Sequence, residues 1–132
     1  MINKISIQTI KALVELARLE PGRTEGIVRI AKRIHAPQNY LAKVFQNLVW
    51  EGLVASQKGL NGGFRLAKPA SQIRLYDVVN VLEDLKGWEG CFMGKAKCSG
   101  SSPCAAHKQW ESARNAHMDF LKKTTIADLK KG

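Results

Sequence analysis

The most informative segment of the chain is residues 38–69, QNYLAKVFQNLVWEGLVASQKGLNGGFRLAKP. Its first part places apolar residues at helical spacing, with Gln, Asn and Lys on the opposite face, which predicts an amphipathic helix. Residues 53–57 and 64–66 are short stretches separated by a Gly- and Asn-rich turn, which predicts a β-hairpin. The turn needs a positive φ at one or more positions, and Asn61, Gly62 and Gly63 are residues that tolerate it at little cost.

A second helix is expected directly before this segment. Apolar residues recur over residues 27–34, and Thr24 is placed to cap the start of the helix. A short break at His35-Ala36 leads to Pro37, a residue type favoured at the first position of a helix. Two helices joined by such a turn predict a helix-turn-helix, and the hairpin that follows predicts a wing.

Further helices are expected on both sides of this unit. Helical patterns run over residues 4–18, with a stop at Glu20-Pro21-Gly22, and over residues 75–82. A long last helix is expected from about Ala105. The residues that suggest its buried stripe are Trp110, Ala113, His117, Phe120 and Leu121. The predicted fold is therefore mainly α with a small β-hairpin: a winged helix-turn-helix plus a long C-terminal helix.

Composition and charge favour a nucleic-acid partner. The 132 residues suit one domain, and 45% of them are hydrophobic, enough for a folded core. Residues 1–70 carry 11 basic and 4 acidic side chains, against 10 and 7 in residues 71–132. The first part is therefore expected to bind a polyanion such as a nucleic acid. The alternative is a solvated basic face that has no partner. Neither a membrane-spanning run nor a signal peptide is evident, so a cytoplasmic location is expected.

In a helix-turn-helix, the second helix enters the major groove with its N-terminal residues nearest the base edges. The residues expected to face bases are Gln38, Asn39, Lys43 and Gln46. Those expected to hold phosphates are Arg29, Lys32 and Arg33. Tyr40 is expected either to reach a phosphate with its hydroxyl or to pack in the core. Contacts from the wing are expected at Lys58, Asn61, Gly62 and Arg65.

Three cysteines cluster within fourteen residues, at Cys91, Cys98 and Cys104, and His107 follows three residues later. An odd number of cysteines argues against a structural disulfide framework. Three thiolates with one imidazole suit a zinc ion or an iron–sulfur cluster. The close CxxC pairs of structural zinc sites are absent, and the wide Gly- and Ser-containing gaps fit a larger cluster.

Other functions stay open at this point. A zinc-stabilised interaction or nucleic-acid-binding protein is one alternative, and a cluster-free regulator that senses through thiol oxidation is another. A thiol oxidoreductase or other enzyme is not expected, because the chain lacks CxxC, a nucleophile–base constellation and a phosphate-cradling Gly loop.

The whole pattern resembles one family. It combines residues 38–69, LYDVVNVLED (75–84), the three clustered cysteines and TIADL (125–129). This combination, over nearly the whole chain, resembles the bacterial iron–sulfur winged-helix transcription regulators typified by IscR, NsrR and RirA. The resemblance implies a homodimer with crossed last helices, whose interface would include Trp110, Ala113, His117 and Phe120. It also implies a roughly palindromic double-stranded DNA operator, with half-sites about one helical turn apart.

The resemblance also implies an iron–sulfur cluster on Cys91, Cys98 and Cys104. In the IscR branch a histidine three residues after the third cysteine completes a 2Fe–2S site, and His107 matches it. In the NsrR branch the fourth ligand is an N-terminal carboxylate of the partner chain. This sequence has Ile7-Gln8-Thr9 at that place and therefore no acidic residue to act as the ligand. The favoured cofactor is therefore 2Fe–2S, with 4Fe–4S as the alternative. The first cysteine gap is one residue longer than in IscR.

The implied function is a repressor or activator whose operator affinity is switched by the cluster, in response to iron, redox state or nitric oxide. Residues 1–70 would form the DNA-binding region. Residues 71–132 would supply the cysteine segment and the dimerisation helix of the same single domain. Ala42 stands where an acidic residue often helps base selection in the family, so the operator preference does not transfer.

Overall fold

The computed structural model describes residues 2–83, 85 and 106–131. Its elements in chain order are α1 (Lys4–Ala17), α2 (Ile27–Ile34), α3 (Gln38–Trp50), β1 (Val54–Gln57), β2 (Gly63–Leu66), a short 3-10 helix (Ala70–Gln72), α4 (Leu75–Leu82), α5 (His107–Lys123) and α6 (Ile126–Lys130). These elements confirm the predicted fold class, with a helix-turn-helix in α2 and α3 and a wing in the β1–β2 hairpin.

Helix α1 forms the centre of the core. Ala12 and Leu13 are completely buried, and the helix packs against α2, α4, α6 and β2. Asn3 caps its start, because the Asn3 side chain accepts a hydrogen bond from the backbone N–H of Ser6 at 2.9 Å. The helix ends at Ala17, three residues before the predicted stop. The elements that carry the site are therefore built around one buried helix.

Helix α2 begins at Ile27, later than predicted, and Thr24 does not cap it. The Thr24 hydroxyl instead donates a 2.8 Å hydrogen bond to the carbonyl oxygen of Asn61, in the hairpin turn. His35 ends α2 in the left-handed conformation, at φ 56°. Pro37 is the residue before α3 rather than its first helical residue. The turn between the two helices is thus as short as predicted, with different local chemistry.

Helix α3 ends in a glycine cap that leads directly into the hairpin. Gly52 has a φ of +79°, and its N–H donates to the carbonyl of Val49 at 3.1 Å. The N–H of Leu53 donates to the carbonyl of Leu48 at 3.0 Å. These two bonds form a Schellman motif, which satisfies carbonyl groups in the last turn of α3. Strand β1 begins at the next residue, Val54.

The hairpin strands β1 and β2 pair antiparallel over their full length. The tip is closed by a 2.9 Å hydrogen bond from the N–H of Gly62 to the carbonyl of Gly59. Positive φ occurs at Gly59 (104°) and at Gly63 (150°). Gly63 is thus the one of the three tolerant residues that adopts a positive φ, and Gly59 on the other side of the turn supplies a second such position.

Besides the Thr24–Asn61 bond, backbone hydrogen bonds and a ring contact attach the wing to the helix-turn-helix. The backbone of Glu25, just before α2, exchanges two hydrogen bonds with Phe64 of β2, of 2.9 and 2.8 Å. The Phe64 ring packs edge-on against Phe45 of α3, with centroids 5.0 Å apart. The wing is thus fixed to both helices.

The start of α4 is held by a reciprocal cap. The Asp77 carboxylate accepts hydrogen bonds from the Arg74 backbone at 3.0 Å and from its guanidinium at 2.8 Å. Burial acts to raise the pKa of Asp77, but the hydrogen bonds and charge of Arg74 outweigh it and lower that pKa. The N–H of Ile126 donates to the carbonyl of Ile73 at 2.9 Å, so α6 is tied to the same place.

The predicted buried stripe of α5 is mostly wrong for the single chain. Leu121 is completely buried, but Phe120 is 52% exposed. Trp110 and His117 are half-buried, and Ala113 is exposed. The described part of the chain covers one side of α5, through α4, and leaves the side with Ala113 and Phe120 open.

Gly63→Ala is expected to lower the free energy of unfolding by about 3 kcal/mol. An added Cβ would lie 2.7 Å from the backbone of Glu25, at a φ of +150°. Gly52→Ala is the matched control, because its φ is +79° but nothing lies within 4 Å of an added Cβ. We expect it to cost about 1 kcal/mol. Denaturant unfolding followed by circular dichroism measures both, and equal losses would contradict the close packing of the wing on Glu25.

Candidate nucleic-acid interface

Three of the four predicted base-facing residues lie together on the exposed side of α3, and Gln38 is exposed at its first position, outside that row. Gln38, Asn39, Lys43 and Gln46 are all exposed. Asn39, Lys43 and Gln46 follow one another at helical spacing, so they fall within an arc of about 60°. The core residues of the same helix occupy the opposite face and are Leu41, Val44, Phe45 and Leu48. Helix α3 therefore presents a polar row to solvent while its other side anchors it.

Tyr40 does not pack in the core. Its side chain is 55% exposed, which excludes one of the two alternatives that the sequence left open. It lies beside the polar row rather than on the buried face of α3, so its hydroxyl is available to a ligand outside the chain.

The three predicted phosphate-binding residues lie on α2 but differ in their surroundings. Lys32 is exposed, and the Arg29 side chain is 78% exposed with a long 3.9 Å contact to Glu25. Arg33 is held more firmly, by Glu25 at 3.1 Å and by Glu15 at 3.7 Å. To contact a phosphate, Arg33 would have to leave two carboxylates, whereas Arg29 would give up only its long contact with Glu25.

The predicted wing residues surround the hairpin tip. Lys58, Asn61 and Arg65 are exposed, and Arg65 donates a long 3.5 Å hydrogen bond across the hairpin to Gln57. Gly62 has no room for a side chain, since an added Cβ would lie 2.3 Å from the carbonyl oxygen of Gln57. A groove of about 710 Å³ separates the wing from the start of α2. The tip is a rigid, basic projection beside α2.

The three cysteines, Cys91, Cys98 and Cys104, lie outside the described residues. His107 is the first residue of α5, and its Nε2 lies 2.9 Å from Oε2 of Glu111, one helical turn later. Within residues 2–83, 85 and 106–131, no three His, Cys, Asp or Glu side chains converge as a metal site. The donor types nevertheless fit a metal, because ligating histidines commonly engage a carboxylate through their other ring nitrogen.

The chain just before the cysteine segment is fixed to α1. The Glu83 carboxylate accepts a 2.6 Å hydrogen bond from the hydroxyl of Ser6, which is completely buried. It also accepts a 3.2 Å bond from the backbone N–H of Asn3, where the helix dipole favours an anion. Leu85 is 3% exposed. Burial lowers the pKa of the neighbouring His117 below 6.5, although the Glu83 charge opposes this.

Comparison with known proteins identifies the family. The model of the Rrf2 family, described as an iron-dependent transcriptional regulator, matches residues 2–132. The chain belongs to the Rrf2 family. A protein of Aquifex aeolicus (strain VF5), named as an HTH-type transcriptional regulator, is 38% identical over 122 residues, which cover 89% of this chain and 85% of that protein. This Rrf2 protein is accordingly a DNA-binding transcriptional regulator and not an enzyme.

Solved structures agree with the family. IscR of T. potens superposes with a TM-score of 0.77 and 25% identity, covering 99% of this chain and 86% of that one. The oxidized form of Staphylococcus aureus CymR superposes with a TM-score of 0.79 and 25% identity, covering 100% and 97%. The resemblance to the IscR type is therefore confirmed at the level of the Rrf2 family. No helix in the described part of this Rrf2 protein is long and apolar enough to cross a membrane.

Three residues of this surface were not predicted from the sequence. Thr24 and Glu25 connect the start of α2 to the wing through contacts with residues almost forty positions later. No local sequence pattern predicts contacts over such a separation. Trp50, 86% exposed at the end of α3, was also missed. Its spacing of eleven residues from Asn39 was available as a signal, since it returns to the same helical face.

Proposed function

We propose that this Rrf2 protein binds a roughly palindromic DNA operator as a homodimer, with α3 of each subunit in the major groove. The observation that carries the proposal is the exposed polar row of α3 beside a wing that is hydrogen-bonded to the start of α2. In this arrangement Asn39, Lys43 and Gln46 face the base edges. Contacts that position the protein on the DNA backbone come from Arg29, Lys32, Tyr40, Lys58 and Arg65. Such a role keeps the cytoplasm as the expected location.

The two kinds of contact are separable by substitution. Gln46→Ala is expected to reduce the preference for a selected duplex over a scrambled one by about tenfold, because it removes a base contact. Lys32→Ala is expected to weaken binding to both duplexes equally. It should make the slope of log affinity against log salt shallower by about 0.9 per subunit, since one phosphate contact is lost.

The duplex for these titrations is one selected from a random library by the wild-type protein. Lys131→Ala, at the exposed end of α6, is the control and should leave both affinity and slope unchanged. Loss of preference in the Lys32 variant, or none in the Gln46 variant, would contradict the assignment of α3 to the bases and α2 to the phosphates.

The open side of α5 supports the homodimer. A 52% exposed Phe120 lies on a seventeen-residue helix next to exposed Ala113. Large apolar side chains in such a position are stabilised when a partner covers them. We propose that the second copy of α5 covers this side, which also sets the distance between the two α3 helices.

Phe120→Arg is expected to convert the dimer to a monomer, because it places a charge in the proposed interface. Operator affinity should fall at least about 100-fold, since the two half-sites would no longer be bound by one linked unit. Phe120→Leu keeps the face apolar and should remain dimeric. Sedimentation equilibrium measures the mass, and a dimeric Arg variant would place the interface elsewhere.

We further propose that Cys91, Cys98, Cys104 and His107 hold an iron–sulfur cluster, of the 2Fe–2S type. Glu111 Oε2 lies 2.9 Å from Nε2 of His107, so a carboxylate stands beside the imidazole that is proposed as the fourth ligand. When bound, such a cluster supplies thiolate-held iron that oxidants, nitric oxide or iron shortage can alter. Glu111 would fix the ring orientation and tautomer of His107.

The contacts of Glu83 suggest how a change in the cysteine segment would affect the DNA-binding part. The stem at Glu83 and Leu85 is attached to α1 through Ser6 and Asn3, and α1 packs on α2. A change in the cysteine segment would therefore act on the element that supports the helix-turn-helix. We propose that the dimer shifts between states of different operator affinity in this way.

Cys98→Ala tests the cluster. Anaerobically purified wild-type protein is expected to be brown with equal iron and acid-labile sulfide, and the variant colourless. The operator affinity of the variant should match that of the cluster-free wild type and differ from that of the cluster-bound form. Ser99→Ala, next in sequence, is the control and should keep the colour. Equal operator affinity with and without the cluster would contradict the switch.

A cluster-free thiol regulator is the second candidate, and one finding favours it. A structural neighbour, S. aureus CymR, is known in an oxidized form. In that case the protein would remain colourless after reconstitution, and oxidation of its thiols would change operator affinity. Stoichiometric zinc in a colourless protein would instead favour the zinc-stabilised alternative.

A further inference from the structure

Trp50 is a large aromatic side chain that the described part of the chain leaves almost fully exposed. It is the last residue of α3 and is 86% exposed. Tryptophan is strongly buried on average, and an exposed one is enriched at surfaces that bind a macromolecule. Its neighbours along the chain, Val49 and Glu51, do not cover it. Its exposure therefore calls for a partner outside the chain.

The position of Trp50 on the helix identifies that partner. Eleven residues separate it from Asn39, which is close to three full turns, so the two side chains share one face about 17 Å apart. Lys43 and Gln46 lie between them on the same face. Trp50 thus continues the row proposed to face DNA, directly opposite the buried Leu41 and Leu48.

The length of this row places Trp50 beyond the bases. The major groove of B-DNA is about 12 Å wide, so a helix that meets base edges near Asn39 approaches the sugar-phosphate backbone 17 Å further on. The C-terminal end of a helix carries partial negative charge, and Glu51 adds a full one. Close approach of a phosphate to this end is disfavoured, whereas an uncharged ring can pack against deoxyribose.

We propose that Trp50 contacts the DNA backbone at the rim of the major groove, with its ring against a deoxyribose. This inference rests on the proposed function, because it requires α3 to lie in the groove. The contact anchors the end of α3 without selecting a base and without releasing a counterion. Sequence preference and salt dependence therefore come from other residues, and Trp50 contributes affinity alone.

The test compares Trp50→Ala and Trp50→Lys with the wild type, on the selected and the scrambled duplex over a salt series. Trp50→Ala should weaken binding about tenfold on both duplexes, with an unchanged salt slope. Trp50→Lys should recover part of the affinity and steepen the slope by about 0.9 per subunit, because the long lysine side chain extends away from the end of α3 to a phosphate that flanks the same deoxyribose. Asn115→Lys, exposed on α5, is the charge control and should leave the slope unchanged.

Unchanged affinity of Trp50→Ala on both duplexes would overturn the inference and point to a protein partner. A loss confined to the selected duplex would also overturn it, since that is the signature of a base contact. The Gln46→Ala titration separates this failure from failure of the proposed function, because it reports on α3 independently. Thermal unfolding of Trp50→Ala should match the wild type, which excludes misfolding as the cause of weaker binding.

Discussion

The geometry of the DNA-binding surface depends on one pair of backbone hydrogen bonds, between Glu25 and Phe64. They join the residue before α2 to the wing, and no side chain is needed to form them. Gly63 makes them attainable, since any Cβ there would meet the Glu25 backbone. The Phe64 ring then packs on Phe45 of α3, and the Glu25 carboxylate holds Arg33. Because all three elements meet at this place, the polar row of α3, the cations of α2 and the wing tip keep fixed relative positions. A regulator that must fit a groove and its backbone at once requires such rigidity.

The contrast between Thr24 and α3 shows what the sequence could and could not predict. Helix α3, its glycine stop and the hairpin follow from local periodicity and turn chemistry. Thr24 fits the local rule for a helix cap, but its hydroxyl instead donates a hydrogen bond to the carbonyl of Asn61, thirty-seven residues later. Gly63 was among the residues expected to tolerate a positive φ, but the close approach of the Glu25 backbone to it could not be predicted from the local sequence. On α5, periodicity predicted a buried stripe, but the single chain fully buries Leu121 and leaves Phe120 and Ala113 exposed. The site residues on α3 were predictable because exposure there follows from the helical period; the roles of Arg29 and Arg33 differ through tertiary ion pairs that the period does not encode.

Helix α1 contacts both the helix-turn-helix and the chain just before the cysteine segment. Its buried face is the centre of the core, and its N-terminal end holds the Glu83 carboxylate at the start of the cysteine segment. Ser6 is a polar residue with no exposed surface, so its bond to Glu83 is costly to break without a replacement. Under the proposed switch, a change at the cysteine segment would act directly on α1, because Glu83 is bonded to that helix and the helix is held in the core. The open side of α5 bears on the proposed dimer. A shift within one subunit would alter DNA binding most if two subunits share the operator.

The most direct test of this account is a dimethyl sulfate footprint of the wild-type protein on its selected duplex. The reagent methylates guanine N7 in the major groove and adenine N3 in the minor groove, so it reports on both grooves in one experiment. The account predicts protection of guanine N7 in two patches whose centres lie about 10 base pairs apart, one for each α3 of the dimer. A single patch would contradict the dimeric arrangement. Protection confined to adenine N3 would contradict the placement of α3 in the major groove.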